Sequence, residues 1–161
     1  TTTEEVAKAL LGHRELRVIT NNLNVASILA ANPDFEVIIA GGYVRSRDRG
    51  VIGEATIDFV NQFKVDFAVI GASAIDPDGS LLDYDYREVK VTKTIMDNAR
   101  HVILAADSTK FERTAPVRVG HLSQVTTFVT DYCPDPDFVK IAAEAEVNLI
   151  QTGRQEAGDA G

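Results

Sequence analysis

The chain has 161 residues, enough for one domain to bury roughly 70% of the surface that its unfolded form exposes. With 45% apolar and 25% charged residues it has an ordinary globular composition, and it lacks the run of about 18 apolar residues that spans a bilayer. Its formal net charge of −8 argues against a grip on nucleic acid, which needs a positive face, so any DNA contact has to come from sequence outside this stretch.

Thr2-Thr3-Glu4-Glu5 fits a capping box in which the Thr2 hydroxyl accepts from the Glu5 amide and the Glu5 carboxylate reaches back. A helix is therefore expected over 3–11, with Val6 and Leu10 on one face. A strand over 16–19 ends in Thr20-Asn21-Asn22, where an asparagine is placed to cap a helix over 23–30. The same grammar then repeats. Strand 35–39 stops at Gly41-Gly42, helix 54–63 follows, and strand 67–70 stops at Gly71-Ala72-Ser73. Helix 86–99 leads to strand 101–105, which stops at Asp107-Ser108. Strand 126–129 stops at Thr130-Asp131, and helix 137–145 and strand 147–150 complete the pattern. Alternation of short apolar runs with helical segments predicts an α/β fold, a mainly parallel sheet with helices on both faces. Residues 1–150 are read as one domain. Residues 151–161, only Gly, Ala, Thr and polar or charged side chains, are read as a flexible tail. The single cysteine, Cys133, cannot form an internal disulfide; with no signal-peptide pattern at Thr1, it points to a reducing, cytoplasmic setting.

The strand-ending breaks are the informative regularity. In an open parallel sheet, ligands sit at the carboxyl ends of strands, so Thr20, Asn21, Gly41, Gly42, Gly71, Ser73 and Asp107-Ser108 are expected to converge on one rim. Thr1 and Thr2, at a helix N-terminus, add hydroxyls and free amides of the kind that hold a phosphate. Helix capping is the plainer role for any single Thr or Asn; four breaks at equivalent positions favour a site. Lys110 follows a strand end closely enough to swing onto a bound anion, although a lysine taken alone is more often simply exposed. Asp83, Tyr84 and Glu88 can accept hydrogen bonds from ligand hydroxyls, with helix capping by Asp83 or Asp85 as the alternative. Arg45, Arg47 and Arg49 form the dense basic cluster of an acidic chain and suit anion contact, a subunit interface or a solvated loop. Pro77-Asp78-Gly79-Ser80 is turn chemistry, and the loop 76–84 is expected to be mobile until a ligand holds it.

Other chemistries lack their residues. His13, His101 and His121 do not have metal-ligand spacing, and neither a Gly-x-Ser-x-Gly elbow nor a Walker loop is present. Gly41-Gly42 has no downstream glycine to complete a dinucleotide fingerprint, and no cofactor is called for.

Thr20-Asn21-Asn22-Leu23-Asn24-Val25-Ala26, Ala40-Gly41-Gly42, Arg45-Ser46-Arg47-Asp48, Ile52-Gly53-Glu54-Ala55-Thr56, Asp78-Gly79-Ser80-Leu81-Leu82 and Asp107-Ser108-Thr109-Lys110-Phe111 resemble the C-terminal effector domain of DeoR-type transcriptional repressors. The resemblance covers residues 1–131. It implies a ribose-5-phosphate isomerase/CoA-transferase-like sensor that binds a small phosphate ester, glycerol 3-phosphate above others, and so relieves repression of glycerol and glycerol-phosphate metabolism. It also implies a homo-oligomer that meets operator DNA through an N-terminal winged helix outside this chain, and no membrane partner. The related isomerases carry Asp-Gly-Ala-Asp-Glu, where this chain reads Ile70-Gly71-Ala72-Ser73-Ala74 and lacks both aspartates, and Thr92 stands where many members have lysine. A non-catalytic sensor is therefore expected, with a sugar-phosphate isomerase as the alternative and a pure oligomerisation module as a third reading.

Overall fold

The computed structural model describes residues 2–153, which divide after Lys64 into two compact units. The first holds helix α1 (Thr2–Leu10), strand β1 (Arg17–Thr20), helix α2 (Leu23–Leu29), strand β2 (Glu36–Ile39), strands β3 (Tyr43–Val44) and β4 (Val51–Ile52), and helix α3 (Glu54–Val60). β1 and β2 pair in parallel, with Arg17 opposite Glu36 and Thr20 opposite Ile39. β3 and β4 form an antiparallel hairpin. α2 starts where Asn22, in extended conformation, accepts from the amides of Asn24 and Val25, as its sequence position predicts. α1 packs on α2, burying Ala7 and Leu29. Glu5, expected to reach back to the helix start, instead pairs with Lys8 Nζ at 3.0 Å.

The second unit holds β5 (Val65–Ile70), β6 (Ala74–Ile75), β7 (Ser80–Asp83), α4 (Tyr86–Asp97), β8 (Ala99–Ala105), β9 (Val117–His121), β10 (Thr127–Thr130), α5 (Pro136–Glu144) and β11 (Asn148–Gln151). Two 3-10 turns, Ser108–Glu112 and Leu122–Gln124, flank β9. Its main sheet runs β11-β10-β8-β5, parallel throughout, and a smaller antiparallel sheet runs β6-β7-β9. Asp85 and Asp135 cap α4 and α5 through the amides of Arg87 and Asp137, and Pro136 occupies the first turn of α5, where its missing N–H costs nothing. The core gathers Ile70, Leu81, Val89, Leu104, Leu122, Phe128 and Phe138. Phe128 and Phe138 are fully buried, and Phe111 stands edge-on to Phe138 with ring centroids 4.9 Å apart.

The mainly parallel α/β architecture is the one the apolar runs predict. The six runs lie in strands, divided between a two-stranded and a four-stranded parallel sheet. The short antiparallel strands β3, β4, β6, β7 and β9 are not expected from the sequence. Two-residue strands carry no period, and β7 follows directly on the turn chemistry of residues 77–80.

Two expectations are corrected. Residues 76–84 are not one open loop. Gly79 donates to the Asp76 carbonyl at 3.0 Å, Asp78 Oδ1 accepts from the Ser80 amide at 2.8 Å, and Ser80 and Leu81 are buried strand residues. His121 Nε2 lies 2.9 Å from the Asp78 carbonyl oxygen, while the Leu122 amide donates to the Gly79 carbonyl at 2.8 Å. Gln151, read as the first residue of a tail, is the last residue of β11, and the Thr152 amide continues the ladder to the Thr130 carbonyl at 2.9 Å. The rest of that expected tail from residue 154, and Thr1, lie outside the described residues. Among the described residues no helix is long and apolar enough to cross a membrane.

Candidate functional site

In the first unit, β1 and β2 are adjacent and parallel, so their carboxyl ends share an edge. Asn21 Nδ2 donates to the Val51 carbonyl at 3.0 Å, and the Asn21 carbonyl accepts from the Val51 amide at 2.6 Å. Thr20 Oγ1 accepts from the Asn22 amide at 3.2 Å, and Asn22 Nδ2 donates to the Asp48 carbonyl at 3.1 Å. The break after β1 is thus stitched to the β3–β4 hairpin, which explains a run of two asparagines better than helix capping alone. Gly41 and Gly42 follow β2. The Gly41 carbonyl accepts from the fully buried Thr56 hydroxyl at 2.7 Å, and Gly42 has φ +152°. Arg45 sits at the hairpin turn with its side chain 14% exposed, its Nε 3.7 Å from Asp48 Oδ1 and its amide bonded to the Gly50 carbonyl at 2.8 Å. Its guanidinium therefore organises the hairpin. Thr2 is the first residue of α1 and half-buried.

In the second unit, β5 and β8 are neighbours, so Gly71 and Ser73 after β5 share an edge with Asp107–Lys110 after β8. A Cβ at Gly71 would meet only the Ala105 carbonyl, at 3.8 Å, so this glycine is not demanded by crowding. The Ser73 amide donates to the Leu82 carbonyl at 3.0 Å, and its hydroxyl donates to Asp83 Oδ1 at 2.9 Å. Asp83 Oδ1 also accepts from the Tyr84 amide at 2.7 Å. The open choice between Asp83 and Asp85 as cap is thereby decided. Asp85 caps α4, and Asp83 belongs with Ser73. Tyr84 is 53% exposed, and Glu88 lies half-buried in the first turn of α4, its carbonyl accepting from the Thr92 hydroxyl at 3.1 Å.

Lys110 lies in the 3-10 turn Ser108–Glu112, which packs beside β6. Its side chain is 20% exposed and its Nζ is 3.8 Å from Asp107 Oδ2. Asp107 starts that turn by accepting from the amide and hydroxyl of Thr109. Asp131, at the end of the adjacent β10, accepts from the Ser108 amide at 2.7 Å and the Ser108 hydroxyl at 3.0 Å. Two carboxylates thus hold the turn that presents the ammonium. Asp131 is not among the residues that the sequence singles out for the site, although it directly follows a strand; the visible signal is an acidic residue at a strand end.

Both carboxyls titrate below the ordinary aspartate value of 3.8. For Asp107 the Thr109 hydroxyl contributes most, opposed by burial and aided by the Thr109 amide and the Lys110 charge. For Asp131 burial is the largest single influence and pulls upward, but the donors from Ser108, Tyr132 and Thr130 together outweigh it. A depressed folded value means that the stabilisation is present above the unfolded pKa and is lost as pH falls through the folded one. Below pH 3.8 the Ser108 amide is accordingly expected to lose exchange protection earlier than the main sheet, and Asp131→Asn to blunt that acid step. An acid profile identical in the two proteins would count against it.

The sequence-predicted residues are therefore placed in two groups, one per unit. Thr20, Asn21, Gly41, Gly42 and Arg45 gather in the first, and Gly71, Ser73, Asp83, Tyr84, Glu88 and Lys110 in the second. Two open depressions, about 450 and 430 Å³, lie elsewhere in the first unit. One is lined by Glu4, Glu5, Lys8, Asn24, Ser27 and Ile28, the other by 11–15 with Asn32 and Asp34. Neither contains one of these residues, and both are shallow surface features with no convergent chemistry.

Comparison with known proteins agrees with the sequence patterns. The DeoR C terminal sensor domain matches residues 1–132. The glycerol-3-phosphate regulon repressor of Escherichia coli is 49% identical over 92% of this chain and 59% of its own length, and that of Haemophilus influenzae is 53% identical over 93% and 58%. The HTH-type transcriptional repressor CsqR of E. coli is 43% identical over 93% and 58%. The chain thus spans rather under two thirds of the length of these curated relatives. Among solved structures, ribose 5 phosphate isomerase A from Neisseria gonorrhoeae aligns with 74% of this chain and 55% of its own at 10% identity and a TM-score of 0.38, too slight a likeness to match individual residues. With the family match running over residues 1–132, from α1 to just past β10, and relatives about half identical over most of its length, this chain belongs to the DeoR C-terminal sensor domain family.

Proposed function

We propose that this chain is the effector-sensing part of a longer transcriptional repressor, and that it binds a small phosphate ester, with glycerol 3-phosphate favoured. The observation that carries the reading is Lys110, a largely covered ammonium held by a carboxylate-braced turn at the carboxyl edge of a parallel sheet. Glycerol 3-phosphate is named by two of these relatives and offers a phosphate to Lys110 and hydroxyls to an acceptor carboxylate in the same unit, Asp83. Release of repression then requires only that the ester bind the DNA-competent and DNA-incompetent forms of the longer protein with different affinity, a coupling of about 1–3 kcal/mol. Contact with operator DNA belongs to sequence outside this acidic chain, the protein works as a homo-oligomer in the cytoplasm, and the domain is not an enzyme. The last point is supported by Ile70-Gly71-Ala72-Ser73-Ala74, which offers neither of the two aspartates that the related isomerases carry there.

The test is a thermal melt. Glycerol 3-phosphate is expected to raise the melting temperature, glycerol is expected not to, and Lys110→Ala is expected to lower affinity for the ester about tenfold, the value of one charged contact. Equal shifts with ester and polyol would sink the reading. Conversion of ribose 5-phosphate to a ketose by the purified protein would favour the isomerase alternative instead.

A further inference from the structure

We propose that Asp83 makes the site select a hydroxyl-bearing phosphate ester over a bare one, and that Ser73 is the residue that positions Asp83 to do so. The inference deepens the phosphate-ester reading and rests on it.

One carboxylate oxygen of Asp83 is fully used. Oδ1 accepts from the Ser73 hydroxyl at 2.9 Å and from the Tyr84 amide at 2.7 Å, which fills the two lone-pair directions of a carboxylate oxygen. Oδ2 has no hydrogen-bond partner among the described residues. The side chain is thus held by two donors on one oxygen while the other is left to accept. Ser73 is itself immobilised, because its amide donates to the Leu82 carbonyl at 3.0 Å and Ala74 pairs with Leu82 in the β6–β7 ladder. Asp83 is half-buried at the end of β7, and the turn carrying Lys110 packs beside β6, the partner strand. The second unit therefore carries Lys110 just past the carboxyl end of β8 and, bonded to Ser73 just past the end of the neighbouring β5, the oriented acceptor Asp83.

Such a pair has a definite chemical preference. A phosphate goes to Lys110 and is repelled by Asp83, while a hydroxyl donates to Oδ2 and forms a charge-assisted bond. A half-buried acceptor already oriented toward the ligand favours an ester whose hydroxyl meets it over one that has no hydroxyl to offer. Ser73 itself does not touch the ligand. It removes rotational freedom from Asp83, so less entropy is lost when the hydroxyl is bound. Its placement in the glycine-rich break after β5, which suggests a direct ligand contact, is explained by its bond to the neighbouring hairpin.

The experiment is calorimetric titration of the whole chain with glycerol 3-phosphate and with propyl phosphate, which keeps the phosphate and carbon chain and lacks both hydroxyls. The unsubstituted protein is expected to favour glycerol 3-phosphate by about tenfold or more. In Asp83→Asn, the Ser73 and Tyr84 donors hold the amide oxygen and turn the NH2 toward the ligand, so the preference is expected to fall to about threefold or less. Ser73→Ala is expected to narrow the ratio and Ser73→Thr, which keeps the hydroxyl, to restore it. A ratio near one in the unsubstituted protein, or an undiminished ratio in Asp83→Asn with melting temperature retained, overturns the proposal and leaves the phosphate-ester reading standing. Failure of either ester to bind the unsubstituted protein overturns that reading, and this proposal with it.

Discussion

Gly42→Ala is expected to destabilise the first unit by about 3 kcal/mol or more, while Gly41→Ala, one residue earlier, stays within about 0.5 kcal/mol. Gly42 has φ +152°, in a region that L side chains rarely adopt, and an added Cβ would stand 2.6 Å from the Ile52 carbonyl oxygen and still closer to Thr56 Oγ1. Neither neighbour can yield cheaply. Ile52 is backbone of the β3–β4 hairpin, and Thr56 is fully buried with its hydroxyl committed to the Gly41 carbonyl at 2.7 Å. At Gly41, in contrast, an added methyl group would meet nothing within 4 Å. Urea denaturation read by amide exchange in residues 17–60 checks the pair. Equal effects of the two substitutions would show that the second glycine is not required by crowding.

Phe128→Ala is expected to cost about 3–5 kcal/mol, because the ring is fully buried and its removal leaves a cavity that β10 and α5 cannot fill without moving. That is a large part of the roughly 5–15 kcal/mol by which a domain is stable. The effect should reach the candidate site. Phe111 follows Lys110 and packs with Phe128 and Phe138 at centroid distances of 6.1 and 4.9 Å, so the turn that presents the ammonium is anchored through this aromatic cluster. Exchange at Thr109 and Lys110 is therefore expected to quicken more than exchange in α4, which shares the core but packs chiefly on β9, β5 and β8. A loss of stability with that ordering reversed would mean that the 3-10 turn is held by Asp131 and Asp107 alone. Phe128→Leu, closer in volume, should recover most of the loss.

What was legible in the sequence was local. Apolar runs of four or five residues bounded by small polar breaks lie in β1, β2, β5, β8, β10 and β11, and the cap at Asn22 follows from a side chain that reaches amides two and three residues ahead, whereas the sequence leaves open the choice between Asp83 and Asp85 as cap of α4. The parallel α/β class and the family follow from the same residues, because alternation of strand and helix is a property of the order of the chain. The position of Lys110 just after a strand end was legible for that reason too. Partnerships across the chain were not. Nothing near Asn21 announces Val51, 30 residues away, and nothing near Ser108 announces Asp131, 23 residues away. The partner of Ser73 could have been a ligand, and only the antiparallel pairing of β6 with β7 makes it Asp83. Turn chemistry at residues 77–80 is compatible with a mobile loop or a tight hairpin; the contacts of His121 and Leu122 with it decide for the hairpin. Hydrophobic period and capping act over one or two turns of chain and are written in order, whereas the hydrogen bonds from Ser73 to Asp83 and from Ser108 to Asp131 form only once packing has brought separate strands side by side.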